Sequence, residues 1–369
     1  RNFKIPAERR KSVNNDSLEL IDIKSMDEAQ LQAYFEQLGE KKFRASQVYQ
    51  WLHQKLVTDF DQMTNLPESL RKTLKENCRL TALTAERVQV SQIDGTSKYL
   101  FKLYDGNLIE SVLMKYHHGN SVCISSQVGC RMGCAFCASG IGGLVRNLTG
   151  GEILTEVLAV NAFLGGTPED RQVTNIVLMG SGEPLDNYEE TLRFLRAVTD
   201  AEGHNVSARN ISLSTCGLVP EILRLSEEGI SLNLTISLHN PFDEERRELM
   251  PIGKKYTVAQ ITAACERYFE KTGRRYIFEY VLILGKNDTR RHAEGLAALL
   301  KGKPCLVNLI RLNAVKEKHL KADTDQNAYR FMEWLNEAGL HASVRRQIGT
   351  DIEGACGQLR RNYIGEETR

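Results

Sequence analysis

Three cysteines stand within eight residues, in the run Cys130-Arg-Met-Gly-Cys134-Ala-Phe-Cys137. Thiolates are soft ligands that select zinc or iron–sulfur clusters. A structural zinc site normally closes four positions, often with two ligand pairs. No second pair follows here: Cys216, Cys265 and Cys305 are isolated and read as small apolar residues packed in a core. Three thiols on one loop suit a 4Fe-4S cluster instead, with the fourth iron left open to another ligand. A second segment of interest, Gly180-Ser181-Gly182-Glu183-Pro184, offers a glycine-rich turn for close backbone approach and a carboxylate for a cationic group. The chain holds nine cysteines. That odd number, with no export leader visible in the sequence, favours metal binding or catalysis over a disulfide framework.

These residues need elements to hold them. Between 121 and about 345, β-like runs alternate with helical ones. Strands are expected over 121–125, 175–179, 210–214, 232–237, 277–284, 306–310 and 342–345. Helices are expected over 152–163, 189–201, 220–228, 258–271, 292–300 and 324–338. Such alternation implies a parallel sheet, and six or more units predict an α/β fold of the partial (β/α)6 barrel type. Catalytic groups then lie at the C-terminal ends of the strands. The cysteine loop directly follows the first strand, and the Gly-Glu turn ends the second.

Upstream, residues 1–82 read as a small helical domain. Asp27 caps a helix through Leu31, Tyr34, Phe35 and Leu38 that Gly39 closes; Val48, Trp51 and Leu52 mark a second; Leu66-Pro67 opens a third. Residues 83–118 change period, with Asp94-Gly95 and Asp105-Gly106 as turns, and predict a short antiparallel linker sheet. Residues 119–346 form the barrel core and 347–369 a tail punctuated by glycine.

With 41% hydrophobic and 26% charged residues the composition is that of an ordinary globular protein. No apolar run approaches the roughly 20 residues of a membrane span, so a cytoplasmic protein with no membrane association is expected, monomeric in the absence of any coiled-coil pattern. The net charge of +1 neither favours nor excludes a nucleic-acid partner. Local basic runs at 311–321 and at Arg345, Arg346, Arg360 and Arg361 could meet phosphates, although a solvated face is the plainer reading of each.

The C-x3-C-x2-C loop resembles the signature of the radical S-adenosylmethionine (SAM) superfamily, with Phe136 at its usual aromatic position. In that superfamily the open iron binds the amino and carboxylate groups of SAM. Further segments narrow the likeness: Cys123-Ile-Ser-Ser-Gln-Val-Gly-Cys130, Arg146-Asn147-Leu148-Thr149, Gly182-Glu183-Pro184-Leu185, Ser237-Leu238-His239 and Asp351-Ile-Glu-Gly-Ala-Cys356-Gly-Gln-Leu359. From about Leu20 onward the chain resembles the RlmN/Cfr family of RNA adenine methyltransferases.

The resemblance implies that Cys130, Cys134 and Cys137 hold a 4Fe-4S cluster. It places Gly182, Glu183, Ser214, Ser237, Leu238, His239 and Asn313 on SAM-contact positions. Cys356 is then the methyl-accepting thiol, Cys123 the second catalytic cysteine that forms a disulfide with it, and Glu110 the proton acceptor. Two SAM molecules per turnover would install a methyl group on carbon 2 of an adenosine in 23S rRNA and in tRNA. The N-terminal helices would help grip the RNA, and a flavodoxin-type protein would donate electrons. Pro184 after Glu183 points to the RlmN branch, whereas Arg311 is nearer to the Cfr branch, which methylates carbon 8. A zinc-stabilised RNA-binding protein is the rival from another class; it would need a fourth ligand, for which His117 and His118 are the nearby candidates.

Overall fold

The structure, a computed structural model, describes residues 20–117, 119–313, 315–352 and 363. Its first module is built as expected. Strand β1 (Ile21–Asp22) leads to helices α1 (Glu28–Gln37), α2 (Phe43–His53) and α3 (Glu68–Asn77), and β2 (Cys78–Arg79) pairs back on β1. Asp27 accepts from the Gln30 N–H while the Gln30 side chain accepts from the Asp27 N–H, a reciprocal cap. Leu31, Phe35, Val48, Leu52, Leu70 and Leu74 bury their side chains in a core of the module's own.

The next strands, β3 (Thr84–Val90), β4 (Ser97–Lys102) and β5 (Leu108–Tyr116), form an antiparallel meander. The expected antiparallel strands are present, and they are continuous with the barrel sheet. Strand β5 pairs antiparallel with β6 (Gly119–Cys123), the first barrel strand, so the meander extends the barrel wall. After the hairpin β7 (Gln127–Gly129) and β8 (Leu144–Asn147) come α4 (Gly150–Phe163), β9 (Val173–Leu178), α5 (Tyr188–Thr199), β10 (Ile211–Thr215), α6 (Val219–Ser226) and β11 (Asn233–Ser237). Helices α7 (Asp243–Leu249) and α8 (Val258–Thr272), β12 (Tyr276–Leu282), α9 (Arg290–Leu300), β13 (Cys305–Arg311), α10 (Asp325–Glu337) and β14 (Ala342–Val344) complete it. The ten-stranded order is β14-β13-β12-β11-β10-β9-β6-β5-β4-β3. Its members from β6 to β14 are mutually parallel, and β14 and β3 leave the barrel open.

The expected α/β partial barrel is therefore present, and each expected strand and helix has its counterpart. Near-continuous apolar runs such as Tyr276–Leu282 are explained by burial on both faces, between the helical layer and the barrel interior. Among the described residues no helix is long and apolar enough to cross a membrane.

The helical module docks on the outer face of the barrel. Asp22 accepts from the Thr149 hydroxyl, and Ser25 Oγ accepts from the Gly151 N–H at the start of α4. Tyr49 donates to Asp200 at 2.5 Å, and Gln54 donates to the Glu202 carbonyl. Between them His53 Nδ1 lies 3.4 Å from His204 Nε2, both rings buried. Burial, with help from Lys24 and Arg171, pushes His204 down to about 4, and burial pushes His53 well below its usual value. Both are therefore neutral at pH 7.

For such a group the unfolded state binds the extra proton between the folded and the ordinary value of 6.5. Stability is thus complete above pH 6.5 and is lost as pH falls toward 4. From His204 alone the loss at pH 5 is about 2 kcal/mol relative to pH 7.5. Urea midpoints at the two pH values should show it, and His204→Gln should flatten the difference. An unchanged slope in the variant would refute the assignment.

Candidate active site

The C-terminal strand ends enclose a cavity of about 350 Å³, and its wall gathers most of the expected residues. Cys130, Cys134 and Cys137 line one side. Cys123, at the end of β6, lines another, beside Val112 of β5 and Val177 of β9. Gly182, Glu183, Ser214, Ser237, His239 and Asn313 also face it. Two expectations are placed elsewhere. Leu238 is fully buried in the main core and is outside the cavity wall, its N–H on the Glu279 carbonyl. Glu110 is outside the wall: it lies on the β5 face that carries Val112 and Met114, buried in an ion pair with Lys98 of β4 at 3.0 Å. Cys356 lies outside the described residues.

The cysteine loop is held at both ends. Strands β7 and β8 close an antiparallel ribbon around it, and the Cys130 N–H reaches the Gly143 carbonyl. Gly129 has φ +79°, and a Cβ there would sit 2.1 Å from the Gly143 oxygen, so only glycine lets the ribbon close. The Ala135 N–H bonds the Leu249 carbonyl at the end of α7. Burial pushes the Cys130 thiol up to about 12 and raises Cys134 as well, each reinforced by the neighbouring cysteines. A metal that binds the thiolates must supply the stabilisation that this dry wall withholds.

The donor set fits a cubane. Among the described residues no three His, Cys, Asp or Glu side chains converge on a single-ion position. A cubane needs no such convergence, because each thiolate binds a separate iron corner. Besides the loop's three thiols and Cys123, Cys216, expected to be an inert core thiol, is a fifth cysteine in the wall, but its thiol is engaged by Glu183. The loop itself offers three soft donors.

Glu183 is buried, and burial raises its carboxyl. Its oxygens accept from the N–H groups of Leu185 at 3.1 Å and Cys216 at 2.7 Å, and from the Thr215 and Cys216 side chains. The S–H is the weakest of these donors and is the one that an arriving ammonium would displace. Packing gives Gly182 a reason of its own to be glycine. At φ +109° its Cβ would fall 2.6 Å from Gln127 Cβ and 2.7 Å from Ser126 Oγ. The turn carrying Glu183 is therefore packed against the strand that begins the cysteine loop.

His239 has φ +61°, unusual outside glycine. Asn287 holds it there: its amide donates to the carbonyls of His239 and Val281 and its oxygen accepts from the Ile283 N–H. The Val281 N–H donates to His239 Nδ1 at 3.0 Å, which fixes the proton on Nε2. Burial pushes this histidine down to about 3, so it is neutral. The Phe136 ring meets it edge-on at 4.7 Å. Beneath lies Arg246, fully buried. It donates to the carbonyls of Leu238 at 3.0 Å and of Cys216 and Ser237 at 2.8 and 3.3 Å, while Nη1 has no partner.

An open parallel barrel with three thiols on its first loop and a Gly-Glu turn on its second defines the radical SAM class. Residues 124–300 match the radical SAM superfamily, and residues 21–80 match the ribosomal RNA large subunit methyltransferase N-terminal domain. A probable dual-specificity RNA methyltransferase RlmN from Lachnoclostridium phytofermentans is 50% identical over 94% of this chain and 96% of its own. Its namesake from Lachnospira eligens is 49% identical over 94% and 97%. The crystal structure of a radical SAM methyltransferase from Sphaerobacter thermophilus superposes with a TM-score of 0.84 at 44% identity, covering 92% of this chain and 98% of that one. The chain belongs to the RlmN family, and membership implies a 4Fe-4S cluster and SAM.

The two glycine environments give a test. Gly182→Ala combines left-handed strain with a clash against backbone-anchored atoms and should cost about 3 kcal/mol. Gly142, at φ +92° with nothing within 4 Å, should cost only the strain of about 1 kcal/mol when replaced by Ala. Urea unfolding of both variants measures the difference; equal losses would show that the turn is not packed as described.

Proposed function

We propose that the chain methylates carbon 2 of an adenosine in 23S rRNA, and of an adenosine in tRNA, through a methylated cysteine and a covalent protein–RNA adduct. The observation that carries this reading is Cys123 in the wall of the cavity that the cysteine loop also faces. A radical SAM core needs only three thiols, so a fourth reactive cysteine in its cavity calls for chemistry of its own.

Carbon 2 of adenine is a poor nucleophile and does not attack a SAM methyl group directly. Cys356 thiolate takes that methyl first, from one SAM. A cluster held by Cys130, Cys134 and Cys137 would supply the electron needed to cleave a second SAM to a 5′-deoxyadenosyl radical. Loss of a hydrogen atom from the S-methyl group of Cys356 leaves a carbon radical that adds to the adenine, joining RNA to enzyme. The adduct radical gives up one electron, returning the one spent on SAM cleavage, and Cys123 assists removal of the ring proton. Cys123 thiolate then attacks the Cys356 sulfur, and the carbon–sulfur bond breaks toward the base, whose methylene takes up a proton to become the methyl group. The two cysteines are left as a disulfide. Glu110, on the same sheet face and ion-paired with Lys98, is assigned to receive a proton.

The described chain supports the meeting of the two cysteines. Ile348 packs with Val112, Met114 and Cys123. The Gly349 N–H bonds Asp94, and Asp351 accepts from the Gln92 N–H. The segment leading to Cys356 is thus fastened to the meander beside Cys123. Glu183 and Asn313 face the same cavity and are assigned to SAM, with Ser214, Ser237, Gly182 and His239; Leu238, its side chain buried in the core, would contribute backbone. RNA would be gripped by the helical module, and the target base unstacked before it can enter. A flavodoxin-type donor and a monomeric enzyme complete the proposal.

Mass spectrometry of unmodified rRNA incubated with anaerobically reconstituted protein, SAM and reductant should show 2-methyladenosine. A product methylated at carbon 8 would transfer the chain to Cfr-type chemistry. Cys123→Ala should accumulate a protein–RNA adduct through Cys356; recovery of free, unmodified RNA alone would overturn the order of steps. Cys134→Ala should abolish both the brown absorbance and SAM cleavage.

A further inference from the structure

Strand register sets four polar side chains in one row across the barrel interior. Ser237 of β11 is the partner of Glu279 of β12, Glu279 of Asn308 of β13, and Asn308 of Ser343 of β14. Three of them are linked: Ser343 Oγ donates to Asn308 Oδ1 at 3.0 Å, and Asn308 Nδ2 donates to Glu279 Oε1 at 3.2 Å. The row ends at Glu279, which is 4% exposed and lines the cavity. Its second oxygen, Oε2, is buried and has no partner.

An orphaned buried carboxyl oxygen costs free energy that folding alone gives no reason to bear. Arg345, one level nearer the mouth, is the charged group that favours the ionised form, yet it makes no ion pair with Glu279; burial outweighs it and raises the carboxyl. The missing partner is therefore a neutral polar group brought by a ligand. Above the row Val281, Ile310 and Leu312 form an apolar stretch of wall between His239 and Arg345. Apolar surface over a polar row suits a nucleoside, the base against the former and the sugar hydroxyls against the latter.

We propose that Glu279 is a ribose-binding residue, whose Oε2 hydrogen-bonds a sugar hydroxyl of the SAM bound in this cavity, with Asn308 and Ser343 as its positioning residues. The proposal rests on the reading that the cavity holds SAM. The target adenosine carries the same hydroxyls; Ser237, the strand partner of Glu279 and itself assigned to SAM, favours SAM.

The experiment is equilibrium dialysis of the full chain, reconstituted with its cluster and without RNA, against labelled SAM. The probes for the sugar are S-adenosylhomocysteine and its 2′-deoxy and 3′-deoxy analogues. Wild type should bind one deoxy analogue about tenfold more weakly than the parent. Glu279→Ala should weaken SAM by a similar factor and bind parent and analogues alike. Glu279→Gln, which keeps the volume and a polar atom at the Oε2 position, should retain most of the affinity, and Asn308→Ala should fall between. Equal cluster absorbance in all variants verifies the fold. Unchanged SAM affinity in Glu279→Ala, or undiminished discrimination between sugars, overturns the proposal. If that variant instead loses affinity only for an RNA hairpin, and a 2′-deoxyadenosine at the target abolishes the difference, the hydroxyl belongs to the substrate and the SAM assignment is wrong. Failure of wild type to bind SAM would remove the underlying reading as well.

Discussion

A guanidinium buried without an ion pair holds the site together. Arg246 comes from α7, immediately after β11, and its hydrogen bonds end on the carbonyls of Cys216, Ser237 and Leu238. Those carbonyls belong to the ends of two adjacent strands, β10 and β11, where orphan acceptors collect and no further strand residue can satisfy them. A neutral donor would serve two of the three; the planar fork serves all of them in one geometry. The cost is a charge taken out of water, and the surroundings offset it. Cys134 and Cys216 both feel that charge, and a loaded site would hold thiolates where the isolated chain holds thiols. The cation is thus at its least costly when the loop above it is charged. Burial of Arg246, elevation of the thiols and neutrality of His239 are parts of one electrostatic arrangement.

The same economy of contacts fixes the opposite side of the cavity. Helix α4 starts at Thr149, whose hydroxyl caps the Glu152 N–H while Glu152 accepts from the Thr149 N–H. Arg146, on the outgoing strand of the loop ribbon, grips both oxygens of Glu152 at 2.8 and 2.9 Å and Asp105 at 2.5 Å. One arginine therefore ties the ribbon, the helix start and the β4–β5 turn. The helical module reaches that same helix start through Asp22 and Ser25, so its position is referred to the cysteine loop through few intervening groups. So short a mechanical path suits the role proposed for the module, to present RNA to the cavity.

Local signals made much of this legible beforehand. Asp27 caps a helix whose apolar spacing declares it, and Gly39, Gly95 and Gly106 take the positive φ that their turns demand. The cysteine spacing and the Gly-Glu turn located the cavity. What remained hidden depends on pairings distant in sequence. Nothing within 83–118 shows that β5 will pair with β6 and turn a linker into barrel wall. The ribbon β7–β8 has strands of three and four residues, too short for periodicity to register. Glu279 sits in a run, Tyr276–Leu282, that reads only as buried strand, and its carboxyl gains meaning from Asn308 two elements later. Cys216 looked isolated because its partner, Glu183, stands on another strand end. The Lys98–Glu110 pair is equally mute until β4 and β5 are laid side by side.

That extension of the barrel wall is also what the proposed two-cysteine chemistry depends on. In a barrel begun at β6, Cys123 would lie on an edge strand beside solvent. With β5 alongside, Val112 covers it from one side and Val177 from the other, and it becomes a wall residue 7% exposed. The same added strands supply the turn at 91–95 to which Gly349 and Asp351 are fastened. The strand that shelters the first cysteine and the anchor that delivers the segment bearing the second are thus one structural addition. An antiparallel meander is the economical way to make it, since short turns at Asp94-Gly95 and Asp105-Gly106 suffice where another parallel strand would require a crossover helix. A helix there would stand where Arg146 and the β4–β5 turn now brace the cysteine loop.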